Sequence, residues 1–206
     1  EFRQQNRVLE PDGFYDGDGV TIEGPAVLKA QISFAEDWYW ATDAVLDLDW
    51  TAKAAANGDD ARVLIIPTGP ADELETCNLM FVHTINSAQK RIWIASPYFV
   101  PEHSVIVALQ LAGLRGVDVR ILIPDNPDHL LVYLAAYSYF GEAGLTGAQF
   151  YRYQDGFLHE KAMLIDDKVA TIGTANFDNR SFRLNFELIA ATAGPTFVSE
   201  VDEMFE

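Results

Sequence analysis

From residue 61 onward, short continuous apolar runs alternate with longer stretches in which apolar residues recur every three or four positions. Val63 to Ile66, Ile92 to Ala95, Val117 to Ile123 and Phe150 to Tyr153 have the length and side-chain content of strands, several of them buried on both faces. Helical spacing covers about residues 71–89, 103–114 and 128–143, with Asp72 and Asp128 placed for first turns and Gly116 and Gly141 near the exits. This alternation predicts a layered α/β domain. The last third changes character, because Phe157 to Asp166 and Val169 to Ile172, joined by Asp167-Lys168, predict a hairpin.

A weak internal repeat organises the rest. Val20 to Glu23 runs into Gly24-Pro25 and an amphipathic helix through Phe34 and Trp38, and Leu188 to Thr192 runs into Gly194-Pro195 and a helix through Val201 and Phe205. If this is a true duplication, residues 1–40 are the tail of an upstream unit, 41–60 an acidic connector rich in Asp, and 61–206 a complete C-terminal domain. The first residue is Glu1 rather than methionine, which leads to the expectation of a piece cut from a longer protein.

Composition narrows the partners. With 31 acidic against 14 basic side chains the formal charge is −17, which repels polyanions, so no nucleic-acid partner is expected. Residues 151–187 are the least acidic stretch, with five cations against six anions. The longest apolar run, Leu130 to Phe140, is too short for the roughly 20 residues that a bilayer crossing needs, so the piece itself is expected to be soluble. Cys77 is the single cysteine, which excludes an intrachain disulfide and cysteine-rich zinc modules and fits a reducing, cytoplasm-facing location. It falls with Leu74, Phe81 and Ile85 on the apolar side of a helical pattern and reads as a small core residue.

The candidate chemistry lies in that least acidic stretch. His159 and Lys161 are two apart, so in an extended segment both project from one side and can touch one phosphate. The imidazole can attack phosphorus or move a proton, the ammonium can offset charge on the non-bridging oxygens, and Asn176, within Gly173-Thr174-Ala175-Asn176, adds an amide donor. Asp166 completes the spacing HxKxxxxD, but an anion would repel the phosphate and Asp166 beside a turn is expected to brace structure. Gly173 fits either a close backbone approach or a bulge. His83, His103 and His129 lack companions at ligand spacing, so no metal and no cofactor are expected. Tyr133, Tyr137 and Phe140 form a helical stripe that reads as core first and as acyl-chain contact second.

The segment FLHEKAMLIDDKVATIGTANFDNRSFRLNFEL from Phe157 resembles the phospholipase D superfamily, whose signature is HxKxxxxD followed by Gly-Ser/Thr-x-Asn. With IASPYFVPE from Ile94, PTGPADE from Pro67 and VTIEGPAV with FAEDWYWAT between Val20 and Thr42, it is similar more narrowly to bacterial cardiolipin synthases. The resemblance implies a phospholipase D-like α/β fold, a mixed and mainly parallel sheet with helices on both faces. It implies His159 as nucleophile or acid, Lys161, Gly173, Thr174 and Asn176 at the phosphate, and Glu187 as the carboxylate that orients the histidine. The implied reaction converts two phosphatidylglycerol molecules to cardiolipin and glycerol through a phosphohistidine, in a parent protein of the bacterial inner membrane. A second histidine is then required, from an upstream repeat about eleven residues before Glu1 or from a homodimer. The competing classes are a hydrolytic phospholipase D, another phosphodiesterase, and a noncatalytic assembly half.

Overall fold

The computed structural model describes residues 2–5, 19–54, 61–126, 130–154, 156 and 158–206. Two short strands, β1 (Phe2–Gln5) and β2 (Gly19–Ile22), pair antiparallel and lead into α1 (Val27–Thr42). There follow β3 (Val63–Thr68), α2 (Thr76–Ser87), β4 (Arg91–Ala95), β5 (Phe99–Val100), α3 (His103–Leu114) and β6 (Asp118–Pro124). Then come α4 (Leu130–Gly144), β7 (Gln149–Tyr153), β8 (Ala162–Ile165), β9 (Val169–Gly173), β10 (Phe177–Asp178), α5 (Asn179–Arg183), β11 (Glu187–Thr192) and α6 (Pro195–Phe205).

Seven strands form one sheet in the order β3-β11-β9-β8-β4-β6-β7. β8 and β11 run against the other five, so strand direction is mainly parallel, as expected. The hydrogen-bonded ladder is not: only β4 with β6 and β6 with β7 pair in parallel, and the four remaining pairs are antiparallel. The reason is that the two reversed strands sit inside the sheet, β8 between β4 and β9 and β11 between β9 and β3, so each turns two pairs antiparallel.

Both faces are covered, which explains why β4 and β8 read as continuous apolar runs. Ile92 and Ile94 of β4, Met163 and Ile165 of β8 and Ile189 of β11 face a layer containing Phe81 and Ile85 of α2 and Ile106 and Leu109 of α3. Trp93, Leu164, Ala170 and Ala190 face the other side, against Phe197, Val198 and Val201 of α6. A bidentate pair fixes α6 there: Arg91 donates to the two oxygens of Asp202 at 2.6 and 2.8 Å.

Several boundaries differ from expectation. α2 starts at Thr76, because Asp72 closes a turn instead: its backbone N–H reaches Gly69 O at 3.1 Å and its side chain accepts from Gly69 N at 3.3 Å. Leu74 is therefore outside the helix and exposed, while Cys77 remains buried with Phe81 and Ile85. Gly141 falls in the last turn of α4 and Gly116, at φ +82°, follows α3 in the left-handed conformation that glycine tolerates, both near the helix exits as expected. Asp128, His129 and Phe157 lie outside the described residues. The two strand, Gly-Pro, helix segments are both present, but Pro195 opens α6 directly whereas Pro25 precedes α1 by two residues. Residues 41–42 still belong to α1, and among the described residues of the connector Asp49 pairs with Lys53 at 2.7 Å and its carbonyl accepts from Gln31 of α1.

Candidate active site

Three chain segments meet at one end of the sheet. Ala162 of β8 pairs with Ile172 of β9, and one step further out Gly173 N donates to Lys161 O at 3.2 Å. Gly173 in turn pairs with Ile189 of β11, so Glu187, two residues earlier, stands at the same end. His159 and Lys161 thus lie on the lead into β8, not on a strand of the hairpin as expected; the regular ladder starts at Ala162. Burial alternates here, with His159 exposed, Glu160 buried and Lys161 half-buried, which keeps His159 and Lys161 on a common side. Lys161 Nζ donates to His159 O at 2.6 Å, folding the ammonium back toward the histidine.

Glu187 is 8% exposed and held by two donors: Thr174 Oγ1 bonds Oε2 and Asn185 Nδ2 bonds Oε1 at 3.1 Å. Thr174 also accepts from Leu188 N at 2.9 Å. The single hydroxyl proton of Thr174 is therefore committed to the carboxylate, and Thr174 positions Glu187 here where a phosphate contact was expected. Carboxylate oxygens offer about four lone-pair sites, so Glu187 retains capacity for an imidazole N–H.

Gly173 answers a steric demand from the neighbouring strand. A Cβ at this position would stand 2.3 Å from Leu188 O and 2.8 Å from Ile189 Cα. Gly173→Ala should therefore push β9 from β11 and cost roughly 2–3 kcal/mol, read as a lower urea midpoint. An unchanged midpoint would show that the strands have slack here.

Asn176 is set by two hydroxyls that sequence reading passed over. Ser181 Oγ accepts from Asn176 N at 3.1 Å and Ser96 Oγ accepts from Phe177 N at 3.0 Å. Asp178 caps α5 by accepting from Arg180 N and Ser181 N, both at 2.8 Å, which places Ser181. Burial pushes the Asp178 carboxyl up, and Glu187 adds to this, against the two capping N–H groups. The Asp178-Asn179-Arg180-Ser181 run is a readable cap signal; Ser96 carries none. Asn176 Oδ1 is buried and finds no hydrogen-bond donor among the described residues.

Asp166 stands at the far end of β8, in the turn at φ +53°. Its carboxylate accepts backbone N–H groups of Gln89, Lys90 and Arg91 at 2.7 to 3.2 Å. Its contacts are those of a brace joining the turn to the start of β4. Cys77 lies buried near Glu187, Asp178 and Asp72, and burial with these carboxylates pushes its thiol up to about 12, which keeps it out of thiolate chemistry. Tyr133, Tyr137 and Phe140 divide: Phe140 packs on Phe150, and Tyr137 is 48% exposed. His83 is exposed on α2 and His103 sits 3.7 Å from Glu142. Among the described residues, no cluster of three or more His, Cys, Asp or Glu is arranged for a metal ion.

Beside Glu187 and Thr174 opens a cleft of about 380 Å³ whose opposite wall is α1, through Ala30, Phe34 and Asp37. Residues 81–206 match the family described as cardiolipin synthase, PLD-like domain. The chain belongs to that family. It is 51% identical over its whole length to cardiolipin synthase A of Pseudomonas aeruginosa and 50% identical over 90% of its length to that of Pseudomonas putida. It spans about half the length of the curated relatives it matches, 46% of the former and 38% of the latter. Among solved structures it is similar to Nuc of Salmonella typhimurium, at 21% identity and a TM-score of 0.59, covering 71% of this chain and 92% of that one. Phosphatidylserine synthase of Haemophilus influenzae gives 17% identity and 0.56, covering 75% and 41%. These two likenesses establish the phospholipase D-like fold of this family member.

Proposed function

We propose that this chain supplies one half of a phosphatidyltransferase site that converts two phosphatidylglycerol molecules to cardiolipin and glycerol. The observation that carries the reading is the convergence of His159, Lys161, Asn176 and Glu187 at one sheet end in a chain of this family. One of a pair of histidines attacks the donor phosphorus through a ring nitrogen, and the bond from phosphorus to the head-group glycerol oxygen breaks. The other histidine gives that oxygen a proton. It then takes the proton from the hydroxyl of the second lipid, whose oxygen attacks phosphorus and releases the first histidine. Lys161 offsets charge on the non-bridging oxygens, Asn176 donates to one of them, and Glu187 accepts the second ring N–H of His159 and stabilises its cation. Water must be kept from the phosphohistidine, since it would divert transfer to hydrolysis.

The partner histidine comes from the duplicated upstream unit of which β2 and α1 are the tail, or from a second copy of this chain. Among the described residues no helix is long and apolar enough to cross a membrane, and membrane association falls to the parent protein. The test mixes the purified chain with phosphatidylglycerol vesicles, alone and with the complementary half of the Pseudomonas aeruginosa relative. The dilute chain alone should release no glycerol, and the recombined halves should form cardiolipin and glycerol in equal amounts. Activity of the chain alone that falls on dilution identifies the two-copy site. Robust turnover by a dilute monomer, or phosphatidic acid as the product, overturns the proposal.

A further inference from the structure

We infer that Arg152, held by Tyr133 and Tyr137, forms a second phosphate subsite, and that it binds the phosphodiester of the acceptor lipid. The inference rests on the transfer reading above and extends it to a residue outside the HxKxxxxD motif.

Strand register places Arg152 relative to Lys161. Ala162 pairs with Ala95, Ala95 with Leu122, and Leu122 with Tyr151, which makes one row across β8, β4, β6 and β7. The next row outward is Lys161, Ser96, Ile123 and Arg152. Ile123 pairs with Arg152 directly, and Ser96 N donates to Leu122 O at 3.1 Å, so the ladder continues into this row. Alternation then fixes the face. Arg152 shares its side of β7 with Phe150, which packs on Phe99 and Phe140, and Lys161 shares its side of β8 with Met163; all belong to the same core layer. Both cations therefore occupy one face and one end of the sheet.

The separation fits the chemistry. Three inter-strand spacings put the two strands roughly 14 Å apart; with the cationic heads at a like separation, a phosphate about 4 Å from each would leave roughly 6 Å between phosphorus atoms. In the product of the proposed transfer two phosphates are joined through a three-carbon glycerol bridge, a chain that spans such a gap when nearly extended. The acceptor brings its own anionic phosphate to the donor's, in a chain of formal charge −17, and a second fixed cation relieves that repulsion.

Arg152 is also preorganised. Its Nη1 donates to Tyr133 OH and its Nη2 to Tyr137 OH at 2.7 Å, while the guanidinium carbon lies 5.1 and 5.6 Å from the two ring centroids. The phenols lie 3.0 Å from each other. Asp125 pairs with the guanidinium electrostatically at 3.6 Å from Nη1, beyond hydrogen-bond length, and so does not take up one of its N–H donors. The guanidinium N–H groups that the phenols do not use form a planar fork that suits the two non-bridging oxygens of a phosphodiester, which share one negative charge.

The test titrates short-chain phosphatidylglycerol, below its micelle concentration, into the 206-residue chain at low salt. Two equivalents should bind. Arg152→Gln should leave one, Lys161→Gln should leave the other, and Arg152→Lys should weaken the second site about tenfold by losing the fork. Circular dichroism checks that each variant is folded. If Arg152→Gln is not, the Tyr133→Phe, Tyr137→Phe pair, which keeps the rings and releases the guanidinium, should weaken the second site instead. Binding of one equivalent or none by the unmodified chain overturns the subsite, and so does unchanged stoichiometry in Arg152→Gln. A Tm loss without a binding change does the same, and marks Arg152 as a strut between α4 and β7. If Arg152→Gln removes one equivalent while Lys161→Gln removes none, the subsite stands and the transfer reading fails.

Discussion

His159→Ala, assayed with the complementary half present, should lower phosphatidyl transfer about 10⁴-fold or more, with little change in the affinity for phosphatidylglycerol. The magnitude follows from the proposed role, in which the imidazole either forms the covalent bond to phosphorus or moves the proton without which the leaving oxygen cannot depart. The affinity should persist because phosphate binding is assigned to Lys161 and Asn176. Folding should persist too, since His159 is exposed and precedes the regular ladder of β8. Glycerol release and cardiolipin formation give the rate, and acid-quenched protein from a labelled donor reports the phosphohistidine. A loss of only tenfold would remove His159 from the chemistry.

Asp166→Ala should cost about 3 kcal/mol of stability and lower the urea midpoint by roughly 1–2 M. Asp166 is 4% exposed and accepts the backbone N–H groups of Gln89, Lys90 and Arg91 at the start of β4. Removing the acceptor takes away a charged partner from all three donors at a part-buried strand start, and alanine tolerates the left-handed φ of +53° less well than aspartate. Asp166→Asn, which keeps one accepting oxygen and the same backbone tolerance, should lose less. The charge state gives an independent reading. Burial pushes the carboxyl up, but the N–H groups of Lys90, Arg91 and Gln89 together outweigh it and hold Asp166 below the ordinary carboxylate range. A carboxyl depressed in the folded state stabilises fully above its unfolded value, about pH 4, and that contribution is lost as pH falls through the lower folded value. Unfolding as pH falls below about 4 should thus be shallower in Asp166→Ala than in the unmodified chain. Parallel acid profiles would assign the lability to other carboxylates.

The sequence by itself determined the α/β layering, because strands covered on both faces must be apolar throughout and helices covered on one side must show a 3.6-residue period; β3, β4, β6 and β7 were legible on that ground. It also carried the residue types of the proposed site, since phosphodiester chemistry calls for a nucleophilic ring, a cation and an amide, and their spacing marks the family. Tertiary structure decided the rest. The positions of β8 and β11 inside the sheet, and hence its mainly antiparallel ladder, depend on which strands meet across the fold, which no local pattern encodes. The same long-range pairing gave Thr174 its partner in Glu187 and Gly173 its need to lack a side chain. It also brought Arg152 into the row of Lys161 across two intervening strands, a relation set by hydrogen-bond register between segments that sequence order keeps apart.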